Sequence, residues 1–206
     1  MDPLIALTRG APMSALLLAL ILAGSLYALA RPALLERHLF RPYWLVRRRE
    51  YHTAITSGFL HADLAHLLFN SFTFWAFGFG LERRIGSAPF LALYALGLLV
   101  SDLGTWVAHR HEPEYRSLGA SGAILAVLFA SILYFPASSL YIVPIPVPIP
   151  APLFAVGYLA YTIWASRQAR GRINHDAHLA GALTGIAFVA LADPAILAAA
   201  FRHFLG

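Results

Sequence analysis

The chain has 206 residues, 59% of them hydrophobic and only 12% charged, with a mean hydropathy of +0.67. Typical globular chains are about 45–50% apolar and about 25% charged, so a water-soluble fold would lack the polar residues to cover its surface, a cover that a bilayer makes unnecessary. The net charge of +5 comes from 15 basic residues, all arginine, which flank apolar runs and so speak for membrane-interface anchoring and against nucleic acid; the absence of cysteine excludes disulfides.

Six apolar stretches stand out at residues 13–30, 64–81, 88–108, 118–135, 151–166 and 177–192. Each is close to the roughly 17–25 residues a helix needs to cross the hydrocarbon, which predicts an all-α membrane protein with six transmembrane helices. Arg9 and the run Ala28-Leu29-Ala30 give the first stretch the look of a secretory signal. Its length and the five spans that follow predict a retained helix. The connector 31–63 holds six arginines among Phe40, Tyr43, Trp44 and Tyr51 and is expected to lie along the membrane interface. The proline-rich connector 136–152 carries prolines at alternate positions, which forbid a regular helix and predict a stiff, extended turn. After Asp193-Pro194, residues 195–204 read as a short interfacial tail. No internal repeat or soluble second domain is visible, so 1–206 is expected to form one membrane domain.

Polar residues inside spans face the bundle and often mark function. Here they gather in the even-numbered spans: His66 and Asn70 in the second, Ser121 at the start of the fourth, His178 at the start of the sixth. Even-numbered helices enter the membrane from one side, so these residues are expected at a similar shallow depth. Ser121 sits in Gly119-Ala120-Ser121-Gly122, whose glycines permit close backbone approach and an unusual conformation. A helix starting there would leave N–H groups free to stabilise an oxyanion. Gly181 and Gly185 give the last span a face that another helix can approach closely; if that helix is the fourth, His178 comes to Ser121. An imidazole in reach of a serine hydroxyl can take its proton. His66 and Asn70, four residues apart, project from one helical face. Asp102, deep in the third span, is expected to hydrogen-bond within the bundle, and Asp176 to point away from His178.

Taken together, His66-Leu67-Leu68-Phe69-Asn70, Gly119-Ala120-Ser121-Gly122 and Ala177-His178-Leu179-Ala180-Gly181 resemble the three signature motifs of rhomboid intramembrane serine proteases. Gly80-Leu81-Glu82-Arg83-Arg84-Ile85-Gly86 resembles that family's Glu-x-Arg motif, and the likeness covers about residues 50–190. The resemblance implies a six-helix rhomboid-like bundle in a bacterial inner membrane that hydrolyses peptide bonds in or beside transmembrane helices of protein substrates. Ser121 is the implied nucleophile and His178 the implied base. His66, Asn70, Gly119 and the Ser121 N–H are the implied oxyanion or substrate stabilisers. Glu82, Arg84, Gly181 and Gly185 are the implied structural residues, with His61 beside them. No metal or cofactor is implied. A catalytically silent relative that binds membrane-protein clients is the alternative.

Two departures accompany the likeness. Many members carry an aromatic residue four positions after the serine, stacked on the histidine, where this chain has Leu125. The family's usual topology also places eleven arginines outside and four inside, opposite to the positive-inside rule.

Overall fold

A computed structural model describes residues 9–141, 147–168 and 173–205. Pro144 and Pro146 of the proline-rich connector, and Arg170 and Arg172 ahead of the last span, lie outside the described residues. The long helices are α1 (Pro12–Leu29), α5 (Leu64–Ile85), α6 (Ser87–His109), α7 (Ser121–Tyr134), α8 (Ala151–Gln168), α9 (His175–Ala192) and α10 (Pro194–Leu205). Three short helices, α2 (Pro32–Arg37), α3 (Pro42–Arg47) and α4 (Thr53–Thr56), fold the first connector. The protein is a mostly helical, multi-pass membrane protein.

Four helices, α1, α5, α6 and α9, are long and apolar enough to cross a membrane; α7 is an apolar helix of 14 residues, and α8 does not reach the same hydropathy. Among the described residues, the six apolar stretches expected from the sequence are therefore four long helices, one short one and one more polar one. The expected fourth span, 118–135, loses its first three residues because Gly119 has φ of +128° and breaks the helix before Ser121.

The centre of the bundle is α7, buried at every position from Gly122 to Leu133. A helix that is apolar all round needs neighbours all round, and α5, α6, α9 and α10 supply them. The outer faces of the surrounding helices expose large apolar side chains, Leu20, Phe69, Leu103 and Leu183 among them, as a lipid-facing surface requires. The tightest packing joins α9 to α7. A Cβ on Gly181 would run into the Gly122 carbonyl, and one on Gly185 into the Ala126 carbonyl. Both pairs keep the same sequence offset, so the two helices run parallel and in register over this stretch.

Two other elements differ from expectation. Around the proline-rich connector, β1 (Ser139–Tyr141) pairs antiparallel with β2 (Pro148–Pro150), so the fold is not wholly helical. Prolines are tolerated there because a two-stranded hairpin is all edge. The tail after Asp193 is a helix that docks on the bundle: Ala200 is buried, and Ile196, Leu197 and Phe204 pack against the core.

Glu82 holds the other end of the bundle. The residue before α1 is Ala11, which cannot cap a helix, and the buried Glu82 carboxylate takes over from α5. It accepts the Met13 and Ser14 N–H groups at 3.0 and 2.6 Å and the Ser87 hydroxyl at 2.6 Å, joining three helices. Arg84 reaches elsewhere, lying 5.8 Å from the Tyr134 ring and lining a cavity of about 280 Å³ with Pro89, Phe188 and Asp193. The expected bracing of the loop after α5 thus spans the starts of α1 and α6 and the ends of α7 and α9.

Gly181→Ala should destabilise the protein in detergent by about 1–3 kcal/mol, because the added methyl meets backbone that cannot yield. Gly157→Ala, which faces open space in α8, should be neutral or stabilising by about 0.5–1 kcal/mol. Equal unfolding midpoints for the two variants would contradict the contact at Gly181.

Candidate active site

Three helix starts converge on one region. Asp63 caps α5 by accepting the His66 N–H at 2.8 Å, which places His66 in the first turn. Asn174 caps α9 by accepting the Ala177 N–H at 3.0 Å, and its side-chain amide donates to Thr105 of α6 at 2.8 Å. That second bond ties the α9 start to its neighbour one turn before His178. The loop before α7 is fixed by Phe40, whose backbone exchanges both hydrogen bonds with Ser117 at 2.9 and 3.0 Å, and by the Gly119 N–H, which donates to the Ser57 carbonyl at 3.0 Å.

Ser121 Oγ lies 2.8 Å from His178 Nε2. On the far side of the ring, His178 Nδ1 lies 3.0 Å from the Tyr158 hydroxyl of α8. The first backbone bond of α7 is Ile124 N–H to the Ala120 carbonyl at 2.9 Å, so the amides of Ser121, Gly122 and Ala123 have no backbone acceptor among the described residues. Asn70 is buried, and neither its amide nor the His66 ring hydrogen-bonds to another described residue. The site therefore holds a hydroxyl joined to an imidazole and free backbone donors, with the His66 ring against the loop ahead of the serine, parts that acyl transfer uses.

Gly119 lies directly against His66. Its N–H is already committed to Ser57, so it offers no free donor to an oxyanion. What it offers is space, because a Cβ there would stand 2.8 Å from the His66 ring. The glycine lets His66 cover the loop directly ahead of Ser121.

Of the other histidines, His175 sets its ring edge-on to His178 with 6.1 Å between ring centres, whereas His109 and Asp176 pair elsewhere. Asp176 turns from His178 and lies 3.1 Å from His109 Nε2; His109 is also 3.0 Å from Glu112 and stacks on Tyr115 at 3.6 Å. Asp102 does not bond within the bundle as expected: its Oδ2 is buried and has no partner among the described residues. No group of three or more metal-ligating side chains occurs among the described residues.

Sequence reasoning missed Tyr158. It lies in a helix read only as a span, far from every motif, and a lone tyrosine in an apolar run carries no spacing signal. The one hint was Leu125, which left the place of a ring beside His178 empty.

His61, fully buried behind His66, explains the wall of the site. The Ser25 hydroxyl donates to the Phe59 carbonyl at 3.0 Å, so at 2.9 Å it accepts from His61 Nδ1–H. Nε2 is then bare and unpaired, 4.8 Å separating the His61 and His66 ring centres. Burial first, then the His66 ring, push the His61 pKa down to about 3, against a smaller pull from Asp63.

These features define a helical membrane bundle with a serine–histidine pair at one end. A model of the rhomboid domain matches residues 48–193, and the chain belongs to the rhomboid family. It is 42% identical to the rhomboid-family protein YdcA of Bacillus subtilis over 90 residues, 43% of each chain. It is 30% identical to RHOMBOID-like protein 12, mitochondrial, of Arabidopsis thaliana over 149 residues, 64% of this chain and 43% of the relative. It is 33% identical to the human presenilin-associated rhomboid-like protein, mitochondrial, over 142 residues, 66% of this chain and 36% of the relative. The chain thus spans about two fifths of the length of these relatives.

His61 makes stability pH-dependent with a definite sign. Above its ordinary value of 6.5 both folded and unfolded forms are neutral; below it the unfolded chain takes a proton that the folded one refuses until about 3. Its contribution is therefore complete above pH 6.5 and is lost as pH falls toward 3. Thermal midpoints of wild type and His61→Gln, measured from pH 8 to 4, should converge on acidification; parallel curves would refute the assignment.

Proposed function

We propose that the protein is a serine endopeptidase that cuts peptide bonds in or next to the transmembrane helices of other membrane proteins, using Ser121 and His178. The observation that carries this reading is the 2.8 Å contact between Ser121 Oγ and His178 Nε2. Family membership and the free donors around the serine support it. In this reading α7 and α8 complete six crossings with the four longer helices, and the substrate arrives through the lipid bilayer.

Ser121 attacks the scissile carbonyl carbon while its proton passes to His178 Nε2. The carbonyl oxygen becomes an oxyanion, for which the Ser121 N–H, the Asn70 amide and the His66 ring are the available donors. His178 then gives its proton to the departing amine, leaving an acyl-Ser121 ester. Water attacks that ester with His178 again as base, releasing the second product and restoring the hydroxyl. Asp176 takes no part, since it bonds to His109. The unit is a dyad as far as charged groups are concerned.

Ser121→Ala should abolish both cleavage of a model transmembrane substrate and labelling by a fluorophosphonate, while leaving the unfolding midpoint near wild type. Equal cleavage by wild type and Ser121→Ala would sink the assignment; a folded wild type that neither cleaves nor labels would favour a client-binding protein.

Asn70→Ala should lower kcat by about 10²–10³-fold with little change in KM, the loss expected when one oxyanion donor is removed. A change confined to KM would make Asn70 a substrate-binding residue instead.

A further inference from the structure

In a serine–histidine unit, the second ring nitrogen decides whether the first can act. Nε2 accepts the serine proton only if the imidazole proton sits on Nδ1, and that tautomer persists only if Nδ1–H has an acceptor. Carboxylates usually fill that place. Here the nearest in sequence, Asp176, is turned to His109, and the only hydrogen-bond partner of Nδ1 among the described residues is the Tyr158 hydroxyl at 3.0 Å.

Resting on the protease reading above, we propose that Tyr158 is the positioning residue of this active site: its hydroxyl oxygen accepts the His178 Nδ1–H and holds the ring with Nε2 aimed at Ser121 Oγ.

Three further observations support it. The Tyr158 ring is clamped by Phe154, stacked at 5.6 Å, and by Phe129 of α7 at 5.9 Å, so its hydroxyl is held in place. A phenol that accepts from histidine must send its own proton elsewhere. Thr162, one turn along the same face of α8, has a fully buried hydroxyl that makes no hydrogen bond among the described residues and so is free to turn and accept it. Finally, Phe129 and Ser121 share α7, so Tyr158 is referenced to the nucleophile's own helix as well as to the base. A neutral phenol stabilises imidazolium less than a carboxylate does, which makes orientation its main contribution.

The test compares full-length wild type, Tyr158→Phe and Tyr158→Leu in detergent micelles. Tyr158→Phe keeps the ring and removes only the oxygen. It should lower kcat and the rate of fluorophosphonate labelling together by roughly 10- to 100-fold, with KM within about twofold and an unchanged unfolding midpoint. Tyr158→Leu should add a fall in the midpoint. Nitrogen-15 NMR of histidine-labelled protein, with the His178 signals assigned through His178→Ala, reads the tautomer directly. Wild type should show the proton on Nδ1, and Tyr158→Phe a mixture of both tautomers. Unchanged labelling by Tyr158→Phe, or a wild-type His178 protonated on Nε2, would overturn the proposal. Because the NMR reading needs no turnover, it decides the role of Tyr158 even if Ser121→Ala shows that the chain is not a protease.

Discussion

The backbone contact between α7 and α9 sets the geometry on which the rest depends. Water offers no hydrophobic drive between helices inside a bilayer, so their association rests on dispersion contact and on how closely the backbones can come. At Gly181 and Gly185 nothing intervenes between the two main chains. Gly122, which receives Gly181, is the neighbour of Ser121, and His178 stands three residues before Gly181. The distance between the helices and the distance between hydroxyl and imidazole are therefore one quantity. Small residues on the other faces of α7 repeat the theme, with Gly97 of α6 resting against Ala123 and Ala126.

Around that contact, polar groups are satisfied across helices more than within them. Glu82 of α5 closes the start of α1 and reaches Ser87 of α6; Asn174 closes its own helix and reaches Thr105; Ser25 of α1 bridges Phe59 and His61. A buried polar group without a partner is costly, so each such bond fixes one helix end relative to another. Among the described residues, free groups are found both at the serine and elsewhere, Ser14, Ser71 and Tyr94 among the latter. The first amides of α7 lie at Ser121 and the His66 ring against the loop ahead of it; in the proposed mechanism a reacting carbonyl would satisfy them together with Asn70. Asp102 stands elsewhere in α6, and the structure offers no account of its unpaired oxygen.

Much of this was legible in the sequence because it depends on spacing along one helix. The apolar runs, the four-residue step from His66 to Asn70, the Gly181–Gly185 face and the shared side of the even-numbered spans all follow from periodicity and connectivity. What escaped depends on which helices become neighbours. Tyr158 matters only because α8 packs beside α9, and Glu82 caps a helix nearly seventy residues away in the chain, a pairing no local pattern encodes. The commitment of the Gly119 N–H to Ser57 is likewise a tertiary bond. The shortness of α7 was hidden by Leu118, which prolongs the apolar run across the break in the helix.

On the protease reading, that shortness bears on how water would reach the serine. Arg84, Tyr134 and Ala192 line one cavity, so the far end of α7 is level with the ends of α5 and α9. Fourteen residues rise only about 21 Å, against roughly 30 Å of hydrocarbon in a bilayer. The whole shortfall, roughly 9 Å by the same measures, falls above Ser121. In that reading hydrolysis would consume a water molecule for each bond cut, at a depth where lipid holds almost none. The missing turns of α7 would leave the Ser121 end short of the membrane surface, beneath the first connector that Phe40 joins to Ser117, and that gap is the route by which water would reach the serine.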